Sequence, residues 1–300
     1  MSREKQPRNL KDTLEGKLSR KEMQHLITSF DSYGNIAVIQ IPKGLGKKAK
    51  VIGEALLGIN KQFKTVCMVT GEHQGKYRVQ PVKVIAGEKN TVATYRESGC
   101  LFRFELGKVF FSPRLATERQ RIAKLIKSGE VIAAFFAGVG PFPIVFARNS
   151  PMEKAYAIEL NPNAFRAMQE NITLNKCQKK VEAIKGDVKK QVHRIKGKCD
   201  RVAMPLPKEG GSFLKEAFAA IKPKGGTIHF YAFVEREKGL KETLEKIKNA
   251  AKAQKRRVRI LRKEKVRSFS ASKDQFVIDF RVLGKKMKQI LEKAKPKNLK

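Results

Sequence analysis

Residues 131–142 read Val131-Ile132-Ala133-Ala134-Phe135-Phe136-Ala137-Gly138-Val139-Gly140-Pro141-Phe142. An apolar run passes straight into a turn with two glycines. That is the pattern of a buried strand ending in a loop that lets backbone approach a ligand closely. Nineteen residues past Gly140, at the end of a second apolar run (Ala155-Tyr156-Ala157-Ile158), stands Glu159. A strand, a glycine turn and an acid about 20 residues later describe a nucleotide site whose acid holds ribose hydroxyls.

Outward from this segment the chain alternates. Ser112-Pro113 starts a helix over 113–127, serine being a favoured N-cap and proline a favoured first residue. Strand 131–136, helix 141–149, strand 154–159, helix 162–175, strand 181–185, helix 188–195, strand 200–204, helix 210–221 and strand 226–234 follow. After a helix at 238–253, the runs 256–264 and 276–282 suit an antiparallel pair. Alternation predicts an α/β domain with a parallel core sheet. Five parallel strands closed by a terminal hairpin form the Rossmann-like layout of class I S-adenosylmethionine-dependent methyltransferases. The glycine loop agrees: the third position of the dinucleotide fingerprint is Pro143, so no pyrophosphate cradle is marked at the helix start.

Ahead of residue 113, a strand at 36–41, a helix at 47–63 and β-like runs at 65–69, 77–85, 92–96, 101–105 and 109–111 predict a small α+β domain. The expected division is a basic flexible arm over 1–23, the small domain over 24–112, the methyltransferase domain over 113–284 and a basic tail over 285–300.

Lys and Arg outnumber Asp and Glu 65 to 28, a net charge of +37 that points to a polyanion, with nucleic acid ahead of a membrane surface. Enrichment in charge of both signs does not explain so one-sided an excess. Cys67, Cys100, Cys177 and Cys199 lie too far apart for a metal knuckle, as do the four histidines, so no metal is expected and the cysteines read as buried free thiols. The N-terminus is polar and no apolar run is long enough to span a membrane. A cytoplasmic monomer is the expectation.

Cofactor contacts are assigned to Phe136, Ala137, Gly138 and Gly140 in the loop, to Glu159 and Leu160 after the second strand, and to Asp187 and Val188 after the third. Asp187 can accept from an adenine amino group or cap the next helix. Glu118 interrupts the apolar stripe Leu115, Ile122, Leu125. It is either a desolvated carboxylate suited to accept a proton, or an acid in an early helical turn paired with Arg121 or Arg114. Arg114, Arg119 and Arg121 on this helix suit phosphates, as do Arg256, Arg257, Arg259 and Arg262 near the end.

Phe111-Ser112-Pro113-Arg114-Leu115-Ala116-Thr117-Glu118-Arg119, Phe136 to Phe142, Tyr156 to Pro162, Gly225 to Tyr231, Ser29-Phe30-Asp31 and Ile85 to Glu88 together resemble the archaeal tRNA guanosine-37 N1-methyltransferases over roughly 25–285. The resemblance implies methyl transfer from S-adenosylmethionine to the base beside the anticodon, with Glu118 as general base, Arg78 stabilising charge on O6, and Arg114 and Arg119 positioning RNA or the acid. About 25 residues precede the matching region, so the family's extra tRNA-contacting N-terminal domain is expected to be missing. The family's Asn-Leu-Pro is Pro205-Leu206-Pro207 here. That resembles the subgroup that also methylates C7 of 4-demethylwyosine in tRNA-Phe, an intermediate of wyosine biosynthesis. The alternatives are a wybutosine-pathway aminocarboxypropyltransferase, whose members lack the proline motif, and a non-catalytic RNA-binding protein.

Overall fold

The computed structural model describes residues 9–72, 75–236 and 239–284. The expected tail over 285–300 lies outside them. The N-terminal region departs from expectation. Asn9 caps helix α1 (Leu10–Leu14), and a reciprocal Ser19–Glu22 capping box starts α2 (Arg20–His25). Leu10, Leu14 and Leu18 are buried in the core of the small domain. Residues 9–23 are therefore not the flexible arm that their polarity suggested: three leucines at spacing four anchor them.

That core lies under a four-stranded sheet of β1 (Phe30–Tyr33), β2 (Ile36–Ile39), the strand after helix α3 (Ala49–Ile59), which is β3 (Thr65–Val69), and β4 (Val82–Gly87). The run expected from residue 77 starts only at Val82, because Arg78 takes a left-handed conformation (φ 51°) and Pro81 lacks an N–H. Next comes a separate hairpin, β5 (Val92–Glu97) with β6 (Cys100–Glu105).

The C-terminal half begins with a 3-10 turn at Pro113–Leu115 that continues into α4 (Ala116–Leu125). It runs through β7 (Val131–Phe135), α5 (Pro141–Asn149), β8 (Lys154–Glu159), α6 (Pro162–Leu174), β9 (Val181–Lys185), α7 (Val188–Gln191), β10 (Arg201–Met204), α8 (Leu214–Ala220), β11 (Gly225–Glu235), α9 (Gly239–Ala253), β12 (Val258–Ser268) and β13 (Lys273–Leu283). The sheet order is β12-β13-β11-β10-β7-β8-β9, with β7 to β11 parallel and β13 antiparallel to β11. Chain order reverses between β7 and β10, which places the ligand crevice at their carboxyl ends. Covered on both faces, the central strands are continuous apolar runs rather than alternating ones.

The hairpin β5–β6 packs with the C-terminal half. Asn175 and Asn171, at the end of α6, accept from the N–H groups of Leu101 and Arg103 at 2.8 Å each. By packing, the chain therefore divides near residue 91, ahead of the hairpin, and not at 112. Residues 109–111, expected as a strand, are a linker whose Phe111 meets Tyr33, Tyr95, Phe102 and Phe104 at ring separations of 4.6–6.3 Å.

Candidate active site

The loop after β7 is strongly bent. Phe136, Gly138 and Gly140 all have positive φ (55°, 58° and 90°). Gly140 has little alternative, since a Cβ there would lie 2.9 Å from Ile144 Cδ1 and 3.0 Å from Met168 Cγ. A non-glycine residue in this conformation, as at Phe136, carries strain of the kind that clusters at ligand sites. Its ring is held edge-on to Phe213 at 4.8 Å. Ala137 is buried, and its N–H donates to Ile158 O at 3.0 Å, tying the loop to β8.

Glu159 sits at the tip of β8. Its Oε2 accepts from Gly138 N and its Oε1 from Asn161 N, both at 2.7 Å. Burial pushes its pKa up, and the backbone donors only partly offset this. The carboxylate thus has spare acceptor capacity in a desolvated place, which fits ribose hydroxyls as donors. Leu160, the next residue, is among the exposed large apolar side chains. Asp187 caps α7 through Lys189 N at 2.8 Å, so the capping alternative is realised, and Val188 is buried beneath it. Among the described residues no cluster could hold a metal ion, and all four cysteines are buried free thiols.

A buried polar network reaches the same end of the sheet. Glu118 is 9% exposed. Arg121 Nε donates to its Oε1 and Arg121 Nη2 to its Oε2, both at 2.8 Å; Tyr231 Oη donates to Oε2 at 2.7 Å. Tyr231 lies one residue beyond the Met204–Phe230 pair of β10 and β11, level with Pro205. Arg121 Nη1 also donates to Asp279 Oδ2 at 2.6 Å. Asp279 Oδ1 lies 2.6 Å from His229 Nδ1, and Arg201 Nη1 lies 2.7 Å from His229 Nε2. Arginine can only donate, so Nε2 accepts and Nδ1–H donates: His229 is neutral in one tautomer. Arg201 is paired with Glu130 at 2.8 Å.

The electrostatics agree. Burial holds the pKa of His229 below its ordinary value against the pull of Asp279. Burial alone would raise Asp279, but His229 and Arg121 outweigh it and bring it to about 2. Burial opposes the charge on Arg121, yet its bonds to Glu118 and Asp279 raise its pKa. Desolvation, and then the Glu118 charge, keep Tyr231 protonated as a donor. Three carboxylates face two guanidiniums, so the cluster carries one net negative charge, with one lone pair of Glu118 Oε1 unassigned.

The remaining assigned residues fall in two groups. Arg78 Nη2 is 2.8 Å from Glu209 Oε1, which brings it to the loop that begins at Pro205. Arg114 is 55% exposed and paired with Asp31 at 2.9 Å, which suits an RNA-facing role. Arg119 does not. It is 1% exposed, bidentate to Glu97 at 2.5 and 2.6 Å, and covered by Phe111 and Phe142. The resemblance gave Arg119 the positioning of RNA or of the acid; its burial rules out the RNA contact, and it clamps the hairpin to α4, the helix of Glu118. Arg256 is likewise buried on backbone carbonyls. His229 and Tyr231 lie in the Gly225 to Tyr231 motif but were given no role, and Asp279 carried no signal, since their bonds to Asp279, Glu118 and Arg121 span 50 to 158 residues.

This strand order, with an acid on β8 and a bent glycine loop at the switch point, is that of a class I S-adenosylmethionine-dependent methyltransferase. The profile of the TRM5/TYW2 methyltransferase domain matches residues 93–261, and that of the TYW2 N-terminal domain matches 10–91, fifteen residues ahead of where the resemblance was expected to begin. The chain belongs to the TRM5/TYW2 methyltransferase family. It is 40% identical to the tRNA (guanine(37)-N(1))-methyltransferase Trm5b of Pyrococcus abyssi, over 86% of this chain and 76% of that protein. The crystal structure of that Trm5b superposes with a TM-score of 0.80, covering 89% and 78% of the two chains. The tRNA 4-demethylwyosine(37)-methyltransferase Taw21 of Saccharolobus solfataricus is 34% identical over 73% of this chain and 83% of its own. The complex structure of aTrm5 and tRNALeu aligns at 29% identity and a TM-score of 0.80, covering 94% of this chain and 80% of that one. No helix among the described residues is long and apolar enough to cross a membrane.

Proposed function

We propose that the protein methylates N1 of guanosine 37 in tRNA, and also C7 of 4-demethylwyosine at that position of tRNA-Phe. The observation that carries the first activity is Glu118, a buried carboxylate in a network with one net negative charge, at the carboxyl end of the sheet where the cofactor loop lies. S-adenosylmethionine, when bound, supplies an electrophilic methyl group. Gly138, Gly140 and the Glu159 carboxylate would hold it, with Asp187 and Leu160 toward the adenine end. Glu118 Oε1 takes the N1 proton as N1 gains the methyl, and acceptance of that proton neutralises the cluster. Arg121 and Tyr231 fix the direction in which Oε1 faces. Arg78 offers its guanidinium to O6, and Arg114 contacts the backbone of the loop.

Glu159→Ala is expected to weaken S-adenosylmethionine binding at least tenfold by calorimetry, from the loss of charge-assisted hydrogen bonds; an unchanged affinity would remove Glu159 from the cofactor site.

The second activity is supported by Pro205 and by the similarity to Taw21. Proline offers the pocket no side-chain donor or acceptor, so the base edge is not restricted to guanine. Mass spectrometry of nucleosides from tRNA-Phe carrying either base tests this. Pro205→Asn should shift the product ratio toward 1-methylguanosine; equal ratios in the two proteins would sink the role of Pro205.

A further inference from the structure

A cleft of about 370 Å³ opens where the small domain, the linker and the β12–β13 hairpin meet. It is separate from the network around Glu118. Its lining includes the apolar Tyr33, Val82 and Phe111, the amides of Gln40 and Gln80, Arg114 with its partner Asp31, Arg267 and Phe269. Its volume falls in the range of small-ligand sites.

Two features give the cleft a chemistry. Phe269, on the hairpin turn, is 52% exposed although it is a large apolar side chain. One face rests on Phe233, with ring centroids 3.9 Å apart and planes at 27°. The ring is thus stiffened from beneath and meets solvent on its other side, the arrangement of a stacking platform. The second feature is a pair of guanidiniums. Arg267 Nε donates to Gln275 at 2.8 Å, which fixes its plane, while its remaining N–H groups line the cleft with Arg114. Burial, and then the Arg114 charge, lower the pKa of Arg267, with Asp31 opposing. An added anion would relieve that repulsion. An aromatic face, two guanidiniums against the single carboxylate of Asp31, and two amides within one cleft are the complement of a nucleotide: base, phosphate and base edge.

Resting on the tRNA reading above, we propose that this cleft receives a nucleotide flanking the target base, its base stacked on Phe269 and its phosphate between Arg114 and Arg267. Arg114 is four residues before Glu118, about 6 Å along a helix axis, so the occupant is a neighbour of the reacting base.

The test is a binding cycle with an anticodon stem-loop RNA, unmodified or abasic at position 37 or at either of its neighbours, titrated against wild type and Phe269→Ala. Phe269→Ala should weaken binding of the unmodified RNA about tenfold, and one abasic RNA should bind wild type about tenfold more weakly. The two losses should not multiply. Arg267→Gln should lower affinity and reduce the salt slope by about one. Phe269→Tyr should bind as wild type does, and S-adenosylmethionine binding by calorimetry reports that each variant is folded. Losses that multiply at both flanks, or no loss in Phe269→Ala, overturn the proposal while wild-type methylation leaves the functional reading standing. Coupling only to an abasic position 37 overturns it too, since the cleft would then take the target base. Failure of wild type to bind or methylate any tRNA would overturn both.

Discussion

Glu118→Gln is expected to lower kcat for 1-methylguanosine formation by about 10²- to 10⁴-fold, the usual contribution of a positioned general base. Glutamine keeps the shape of glutamate and can still accept from Tyr231 or Arg121, so packing changes little. What is lost is the charge that receives the proton. The KM for tRNA and the affinity for S-adenosylmethionine should stay within a few-fold, because neither depends on proton transfer. Single-turnover measurement with saturating cofactor isolates the step. A kcat within tenfold of wild type would remove Glu118 from proton abstraction and leave it as the structural partner of Arg121.

The second large effect is on stability. Asp279→Ala should cost about 2–4 kcal/mol, because it removes one of the two carboxylates that hold Arg121, leaving Nη1 unsatisfied, and leaves the His229 N–H with no acceptor inside the sheet. Urea denaturation at pH 7.5 measures it. The sign of the pH dependence follows from the two groups. Asp279 sits at about 2 in the native state against 3.8 ordinarily, and His229 lies below 6.5. In both cases the unfolded chain binds more protons on acidification, so stability is full above about pH 6.5 and falls as pH drops toward 2. The variant, lacking the carboxylate, should lose the part of this slope below pH 4. A ΔΔG under 1 kcal/mol would mean that water or a rearranged Arg121 replaces Asp279.

The catalytic sheet was legible in the sequence almost strand by strand, because parallel strands buried on both faces are continuous apolar runs and Gly, Asn and Pro mark their ends. Glu159 and the glycine loop were legible for the same reason, since local geometry places them. The N-terminal helices were not. Their leucines are diluted by lysine and arginine, and only packing on α3 identifies them as core. The RNA contact expected of Arg119, though not the positioning of the acid, fails on its burial, and its difference from the exposed Arg114 is set by Glu97 on a hairpin 22 residues earlier. The Glu118 network shows the same limit from the other side. Sequence spacing reached Arg121 but could not reach Tyr231, Asp279 or His229, which meet it only through strand register.

The aromatic cluster at Phe111 has a consequence for the substrate. Four rings surround it, Arg119 lies over it, and Tyr33 Oη reaches its carbonyl at 3.5 Å. Interiors packed in this way rearrange between discrete states and do not flex continuously. The junction between the small domain and the catalytic sheet is therefore a preset wall, and deformation on binding falls on the RNA. If Glu118 is the base proposed above, the target has to leave its stack to reach it, and a loop that is already loosely stacked surrenders a base at a lower energetic cost than a helix would.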